Sequence, residues 1–142
     1  MLGAKEIRQL AGTLEIKPTK KLGQNFVIDP NTINRIVAAA GLVPEDVVVE
    51  IGPGIGYLTL GLLEKTESVI AVEIDPKLAK QLPLTISLHA PGKTVELVIA
   101  DALQIREVPI APTALVSTLP FNLFFLHIFL CRLSSLSLLL CA

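Results

Sequence analysis

Short apolar runs alternate along this chain with segments in which apolar residues recur at helical spacing. Ile33, Ile36, Val37 and Ala40 follow the i, i+3, i+4, i+7 spacing of one helical face. This spacing predicts a helix over 31–40, capped by Asp29 or Asn31 and ended by Gly41. Further elements are predicted as helices over 57–65 and 77–82, the second ended by Pro83, and as strands over 47–51, 68–74, 95–100 and 114–119.

The order of these elements indicates the fold class. The first strand, VVVEI, is apolar and β-branched almost throughout, which is typical of a central parallel strand that is buried on both faces. Strands that alternate with helices predict an α/β fold with a doubly wound, mostly parallel, Rossmann-like sheet. Right-handed crossovers place the carboxyl ends of all such strands at one edge of the sheet, where ligands bind.

Composition separates the last twenty residues from the rest of the chain. The 142 residues carry 12 basic and 13 acidic side chains and are 51% apolar, which excludes a polycationic tail and a disordered chain. The high mean hydropathy of +0.65 comes mainly from residues 123–142, which hold Cys131 and Cys141 but no acid, glycine or proline. The body has no cysteine and no paired histidines, so we expect no metal site.

A glycine-rich loop follows the first strand and opens the next helix. Its sequence from Glu50 to Gly56 is E-I-G-P-G-I-G, in the context that nucleotide-binding loops occupy. It differs from the dinucleotide pattern G-x-G-x-x-G, so it favours a ligand with a single nucleoside over a pyrophosphate. The alternative is a glycine turn that binds no ligand.

Two carboxylates end later strands. Glu73 lies 21 residues after Gly52, where an acid can accept hydrogen bonds from both hydroxyls of a ribose. Asp101 ends the third strand and can accept from an adenine amino group. The alternatives are an exposed strand-end carboxylate for Glu73 and, for Asp101, a cap on a helix that starts at Ala102.

Five segments together resemble the ribosomal RNA adenine N6,N6-dimethyltransferases. They are GQNFVIDPNTINRIV (23–37), VVEIGPGIGYLT (48–59), IAVEIDPKLA (70–79), VIADAL (98–103) and LPFN (119–122). The resemblance spans about residues 15–122 and implies a class I methyltransferase fold. It also implies S-adenosyl-L-methionine as cofactor and the dimethylation of two adjacent adenosines near the 3′ end of small-subunit rRNA.

The resemblance assigns site residues position by position. The cofactor-binding residues it implies are Asn25, Val27, Gly52, Gly54, Glu73, Asp101, Ala102 and Thr118. The residues it implies at the target adenine are Thr118, Leu119, Pro120 and Phe121. Where the family has Asn, this chain has Thr118, whose hydroxyl is shorter than an amide carbonyl. We therefore expect methyl transfer to suffer more than cofactor binding does.

The resemblance divides the chain into three segments and implies its partners. They are a basic segment (1–22), a partial cofactor-binding domain (23–122), and an apolar tail unrelated to the family (123–142), with the family's C-terminal strands and helical domain missing. We expect a monomeric, cytoplasmic protein that acts on small-subunit rRNA or the pre-small ribosomal subunit, without a stable membrane partner. Alternatives are a non-catalytic cofactor- or RNA-binding remnant, a large-subunit rRNA methyltransferase of the resistance type, and a dinucleotide-binding oxidoreductase.

The apolar tail leaves three interpretations open. It is a frameshift or truncated gene, a membrane anchor, or a terminal helix that packs on the sheet. Arg132 inside the run disfavours the anchor, because a central arginine is costly in lipid. With the family's last strands missing, we expect the fourth strand to be an edge and the chain to be poorly soluble.

Overall fold

The computed structural model describes residues 29–118 and the backbone of a short strand at 138–141. These residues form α1 (Pro30–Ala40), β1 (Val47–Ile51), α2 (Tyr57–Leu63), β2 (Ser68–Glu73), α3 (Pro76–His89), β3 (Glu96–Ile99), a 3-10 helix (Ala102–Gln104), β4 (Ala114–Ser117) and β5 (Leu138–Cys141). The strands lie in one sheet in the order β3-β2-β1-β4-β5, and each pair of neighbours is parallel. The predicted Rossmann-like fold class is confirmed.

The two faces of the sheet are covered by different parts of the described chain. Helices α1, α2 and α3 pack on the face that carries Val48, Ala71 and Val116. The opposite face packs against the 3-10 helix and the residues after it, through Ala102 and Ile105. The chain therefore crosses over one face from β1 to β3 and over the other from β3 to β4, which is how a doubly wound sheet reverses its strand order.

Helix α1 begins and ends as its sequence predicts. The side chain of Asp29 caps it by accepting a hydrogen bond from the Thr32 N–H at 3.2 Å, and Pro30 lies in the first turn. Gly41 ends the helix at φ 58°, a left-handed conformation that glycine adopts without a steric penalty. The predicted apolar face is buried in the core.

Helix α3 is longer than predicted, so the expectation that Pro83 ends it at Leu82 is wrong. The helix continues to His89 with Pro83 on its exposed side. Proline removes one backbone hydrogen bond and strains the preceding turn. Leu82 and Ile86, which lie on either side of it, are both at most 2% exposed. Burial of this apolar face outweighs the local cost of the proline.

The fourth strand is not an edge, so that expectation is also wrong. Residues Leu138–Cys141 pair with β4 in parallel, with Ala114 opposite Leu138 and Ser117 opposite Cys141. This part of the tail is a strand, which also corrects the terminal-helix interpretation for these four residues. Apolar residues suit a strand that continues a parallel sheet. Residues 119–137 and 142, which include most of the tail, lie outside the described residues, as does the basic segment at 1–22.

The ends of several elements differ from prediction by one or two residues. Helix α2 ends at Leu63 rather than 65, β2 ends at Glu73 rather than 74, β3 spans 96–99, and β4 ends at Ser117. Such differences are common where a strand or helix gives way to a loop. Within the described ranges, no helix has the length and apolar character needed to cross a membrane.

Candidate cofactor-binding site

Four residues predicted at the site lie at one edge of the sheet. Gly52 follows β1, Glu73 ends β2, Asp101 follows β3 and Thr118 follows β4. Because neighbouring strands are parallel, these four positions share the carboxyl edge. The strand order places them along that edge as Asp101, Glu73, Gly52 and then Thr118. The sheet reverses its winding between β1 and β4, which is where open α/β sheets bind ligands.

The glycine loop between β1 and α2 is packed on one side and open on the other. Gly52, Gly54 and Gly56 all have positive φ, at 69°, 58° and 94°. A Cβ on Gly56 would lie 2.7 Å from the Cδ1 of Leu82 on α3, whereas a Cβ on Gly54 would meet no atom of a described residue within 4 Å. The loop therefore rests on α3, and the described residues leave space beside its backbone at Gly54. This arrangement fits a ligand that must approach the backbone closely.

Glu73 joins the glycine loop to the turn after β2. Its Oε2 accepts a hydrogen bond from the Gly54 N–H and its Oε1 accepts one from the Asp75 N–H, each at 3.0 Å. Only 4% of the residue is exposed, which excludes the alternative of an exposed strand-end carboxylate. Burial raises the pKa of Glu73, while the two backbone N–H groups oppose the rise. The Ile74 N–H also lowers the pKa of Glu73 through a hydrogen bond, and a carboxylate has about four lone-pair sites, so capacity for a ligand hydroxyl remains.

Asp101 caps the 3-10 helix that follows β3. Its Oδ1 accepts a hydrogen bond from the Leu103 N–H at 2.9 Å, so the capping alternative is confirmed. Its Oδ2 makes no hydrogen bond to a described residue, which leaves that oxygen able to accept from a ligand amino group. Ala102, the neighbouring predicted site residue, is 8% exposed. The predicted contact of Asp101 with adenine stays a prediction.

Of the remaining predicted site residues, Thr118 lies within the described part of the chain and the others lie outside it. Thr118 is half-buried directly after β4, beside the glycine loop in the strand order. Asn25, Val27, Leu119, Pro120 and Phe121 lie outside the described residues. Within the described residues, no three His, Cys, Asp or Glu side chains are grouped so that they could hold a metal ion.

Sequence reasoning missed an apolar side chain at the site. Ile74, between Glu73 and Asp75, is 45% exposed although it is large and apolar. Leu103, in the 3-10 helix two residues after Asp101, is 53% exposed. Exposed apolar side chains beside hydrogen-bonding acids are what a flat base requires, since it needs contact on its faces and polar groups at its edge. For Ile74, the signal in the sequence is an apolar residue directly after the strand-end acid Glu73.

A buried acid beneath the loop was also missed as a candidate site residue. Glu50 lies in β1, two residues before Gly52, and is 1% exposed. Its Oε2 accepts a hydrogen bond from the Thr59 hydroxyl in α2 at 2.6 Å. Burial raises the pKa of Glu50 to about 8, Thr59 opposes the rise, and the nearby Glu73 adds to it. The sequence signal that could have identified Glu50 is that it is the single charged residue in the apolar run VVVEI.

Comparison with known proteins identifies the family to which this arrangement belongs. Residues 16–123 match the family model described as ribosomal RNA adenine dimethylase. The chain belongs to this family. The match contains the glycine loop, both strand-end acids and the segment after β4, and it ends where the composition of the chain changes.

Curated members of the rRNA adenine dimethylase family are similar over most of this chain. The ribosomal RNA small subunit methyltransferase A of Kineococcus radiotolerans is 57% identical over 124 residues, which cover 86% of this chain and 41% of that protein. The protein of the same name from Corynebacterium efficiens is 57% identical over 126 residues, covering 86% and 44%. The chain thus spans about two-fifths of the length of these relatives.

Solved structures agree with the family assignment. The 23S rRNA methyltransferase ErmE is 37% identical with a TM-score of 0.63, and the alignment covers 75% of this chain and 42% of ErmE. A dimethyladenosine transferase from Plasmodium falciparum is 26% identical with a TM-score of 0.62, covering 71% and 36%. The predicted family and methyltransferase fold are confirmed, and the family indicates S-adenosyl-L-methionine as cofactor.

Proposed function

We propose that this chain forms the cofactor-binding part of an rRNA adenine dimethyltransferase that methylates two adjacent adenosines near the 3′ end of small-subunit rRNA. The observation that carries the proposal is the order Asp101, Glu73, Gly52, Thr118 along one edge. An extended S-adenosyl-L-methionine has the matching order of adenine, ribose and amino acid, with the methyl acceptor next. The curated relatives, which are named for the small subunit, support the choice of substrate.

Each side of the cofactor would be held by a different strand end. Asp101 would accept from the adenine amino group while the exposed Ile74 contacts the ring face. Glu73 would accept from the ribose hydroxyls through the lone-pair capacity that the backbone N–H groups of Gly54, Asp75 and Ile74 leave. The open backbone at Gly52 and Gly54 would accommodate the amino-acid part, with Asn25 and Val27 completing that end. Ala102, which is buried beside Asp101, would lie at the adenine end.

The segment that begins at Thr118 would hold the target adenine. An exocyclic amine is a weak nucleophile because its lone pair is delocalised into the ring, so the enzyme must orient that lone pair. Oxygen acceptors at Thr118 and Pro120 would accept hydrogen bonds from the two N–H groups of the amine, and Phe121 would stack on the base. Bound S-adenosyl-L-methionine supplies an electrophilic methyl group, so these side chains need only hold and orient the amine. Because the hydroxyl of Thr118 is short, it would hold the amine poorly.

The proposed rRNA substrate also implies a binding partner and a subcellular location. The pre-small ribosomal subunit would be the partner, contacted in part by the basic residues of segment 1–22. Ribosome assembly would place the protein in the cytoplasm, and we propose that it acts there as a monomer. ErmE acts on 23S rRNA by its name, so a large-subunit substrate is the second candidate.

Calorimetry tests the cofactor part of this proposal. We expect the full chain to bind S-adenosyl-L-methionine and not NAD, because the loop lacks the dinucleotide pattern. Glu73→Ala should weaken binding about 10–100-fold, since it removes charge-assisted hydrogen bonds. Glu45→Ala, which removes an exposed acid before β1 at the opposite edge, is the matched control and should leave the affinity unchanged. Binding of NAD in place of the methyl donor would contradict the proposal.

Methyl incorporation tests the substrate. Unmethylated small ribosomal subunits should accept methyl groups slowly from this chain, and unmethylated large subunits should not. Thr118→Asn should raise the rate about 100-fold, because a single well-placed hydrogen-bonding group contributes that much to a transition state. Preferential labelling of large subunits would favour the second candidate. If neither form labels any subunit, the chain is a cofactor-binding remnant without catalytic activity.

A further inference from the structure

Ser117 is the last residue of β4 and its one polar member. The other residues of the strand, Ala114, Leu115 and Val116, are apolar, and all four are at most 1% exposed. A buried hydroxyl is costly unless it makes a hydrogen bond. The Ser117 hydroxyl meets this need by donating to the carbonyl oxygen of Ile51 in β1, at an Oγ–O distance of 3.3 Å.

This hydrogen bond lies between the two parts of the proposed site. Its acceptor, Ile51, directly precedes Gly52, where the glycine loop begins. Its donor, Ser117, directly precedes Thr118, where the segment proposed for the target adenine begins. Ile51 and Ser117 are also partners in the register of β1 and β4. The bond therefore joins the residue before the cofactor loop to the residue before the acceptor segment.

The carboxyl ends of the other described strands are joined differently. Beyond the bonds of the paired strands, the Gly52 N–H donates to the Val72 carbonyl at 2.9 Å, which joins β1 to β2. The Ala100 N–H donates to the Glu73 carbonyl at 3.1 Å, which joins β2 to β3. Both are backbone bonds, so they do not depend on the side chains at these positions. The bond from Ser117 joins β1 to β4, where the winding reverses, and it depends on a side chain.

The distance between the ends of β1 and β4 matters for methyl transfer. The methyl group would be held by the loop after β1, and the amine that accepts it by the segment after β4. Such a reaction needs its two reacting atoms aligned and about 3–3.5 Å apart, and a misplacement of about 1 Å can cost about 100-fold in rate. A hydrogen bond between the two strand ends limits how far they can move apart.

We propose that Ser117 is a positioning residue that fixes the distance between the bound cofactor and the target adenine. It acts through Ile51 and Thr118, the residues on either side of this link. The inference rests on the proposed function, because it needs both ligands to bind at this edge of the sheet. Its consequence is specific: loss of the hydroxyl should affect a ligand that occupies both parts of the site, and not the cofactor alone.

Calorimetry of the full chain with two ligands tests this consequence. The first ligand is S-adenosyl-L-methionine. The second is a bisubstrate analogue, in which a short alkyl linker replaces the methyl group and joins the cofactor to the N6 atom of a second adenosine. Because the linker has a fixed length, the affinity for the analogue depends on the distance between the two parts of the site. Ser117→Ala should weaken binding of the analogue about tenfold and binding of S-adenosyl-L-methionine less than about twofold.

Thr66→Val is the matched control. Thr66 is 1% exposed, and its hydroxyl donates to the carbonyl of Asp46 at the opposite edge of the sheet. The variant also removes a buried hydroxyl that donates to a backbone carbonyl, so it should lower the stability of the fold. The ratio of the two affinities should stay as it is in the unchanged chain. A similar change of the ratio in Thr66→Val and Ser117→Ala would overturn the inference, since the effect would then come from general destabilisation.

The remaining outcomes separate this inference from the proposed function. An equal loss of affinity for both ligands in Ser117→Ala, or no loss for either, would overturn the role of Ser117 and leave the proposed function intact. If the unchanged chain binds the analogue no more tightly than S-adenosyl-L-methionine, the acceptor part of the proposed function fails and the inference fails with it. Absence of S-adenosyl-L-methionine binding overturns both. If Ser117→Ala does not fold, Ser117→Cys replaces it, because a thiol is similar in size but a weaker donor, and an unchanged ratio there overturns the inference.

Discussion

The two ends of β1 carry acids in opposite situations. Before the strand, Asp46 accepts from the Val43 N–H at 2.8 Å and from the Thr113 hydroxyl at 2.7 Å, and these hydrogen bonds lower its pKa. Near the other end, Glu50 is buried with one hydrogen bond, and its pKa is raised. The same functional group is thus stabilised as an anion at one end and held neutral at the other.

The hydrogen bonds at the two ends of β1 distinguish a structural cluster at the amino end from a binding site at the carboxyl end. At the amino end, Thr113 also accepts from the N–H of Val47 in β1, and Thr66 donates to the carbonyl of Asp46, so these bonds join the start of β1 and the loop before it to two other loops. At the carboxyl end, the loop is open at Gly54, and the acids beneath it keep lone pairs that described residues do not use. Polar groups that satisfy one another hold a fold together, whereas polar groups with remaining capacity can bind a ligand.

The largest expected effect is on the pH dependence of stability. Glu50 is ionised in the unfolded chain above about pH 4.5 but stays neutral in the folded chain until about pH 8. The folded state then binds more protons, so the free energy of unfolding should fall as the pH rises between these values, by up to about 1.4 kcal/mol per unit, and then level off. Glu50→Gln should flatten this fall in urea titrations at several pH values. An unchanged slope would show that the buried acid is not the cause.

The next effect concerns the packed side of the glycine loop. Gly56→Ala should lower the free energy of unfolding by about 3 kcal/mol, because φ is 94° and the new Cβ would lie 2.7 Å from Leu82. Gly92→Ala is the matched control, since Gly92 has a similar φ of 86° but the new Cβ would have no described residue within 4 Å. It should cost about 1 kcal/mol, for the backbone strain alone. Equal losses in the two variants would contradict the packing of the loop on α3.

The smallest of the three effects is at the amino end. Asp46→Ala should cost about 2 kcal/mol at pH 7, because the Val43 N–H and the Thr113 hydroxyl lose their acceptor. Since the pKa of Asp46 is lowered, its contribution is complete above about pH 4 and is lost at lower pH as the folded carboxylate takes up a proton. Cofactor affinity should not change. A weaker affinity in this variant would show that the two ends of β1 are not independent.

Much of the fold was predictable because its local signals agree. The β-branched run of β1 and the apolar face of α1 with its cap each indicate one structure, and that structure forms. The errors arose where distant packing outweighed a local rule. Pro83 does not end α3, because Leu82 and Ile86 are buried on both sides of it. The pairing of β5 with β4 joins residues more than twenty positions apart, which no local pattern specifies.

The site was predictable to a different degree for each residue. Strand ends and glycines can be read from the sequence, so Gly52, Glu73 and Asp101 were placed at the correct edge. Asp101 shows the limit of such reasoning, since its side chain also caps the helix after it. Ile74 was missed because its exposure depends on the surrounding fold and not on its neighbours in the sequence. The resemblance to the family, which the family match confirms, was carried by the motifs themselves.

The sequence by itself determined which groups end the strands and how the loop between β1 and α2 turns, since both depend on residues close together in the chain. Only the tertiary structure decided how those groups are ordered in space. Along the chain the order is Gly52, Glu73, Asp101, Thr118, but along the sheet edge Asp101 and Thr118 lie at opposite ends with Gly52 between Glu73 and Thr118. The physical reason is that β4 pairs with β1 rather than β3, so the winding reverses beside the glycine loop.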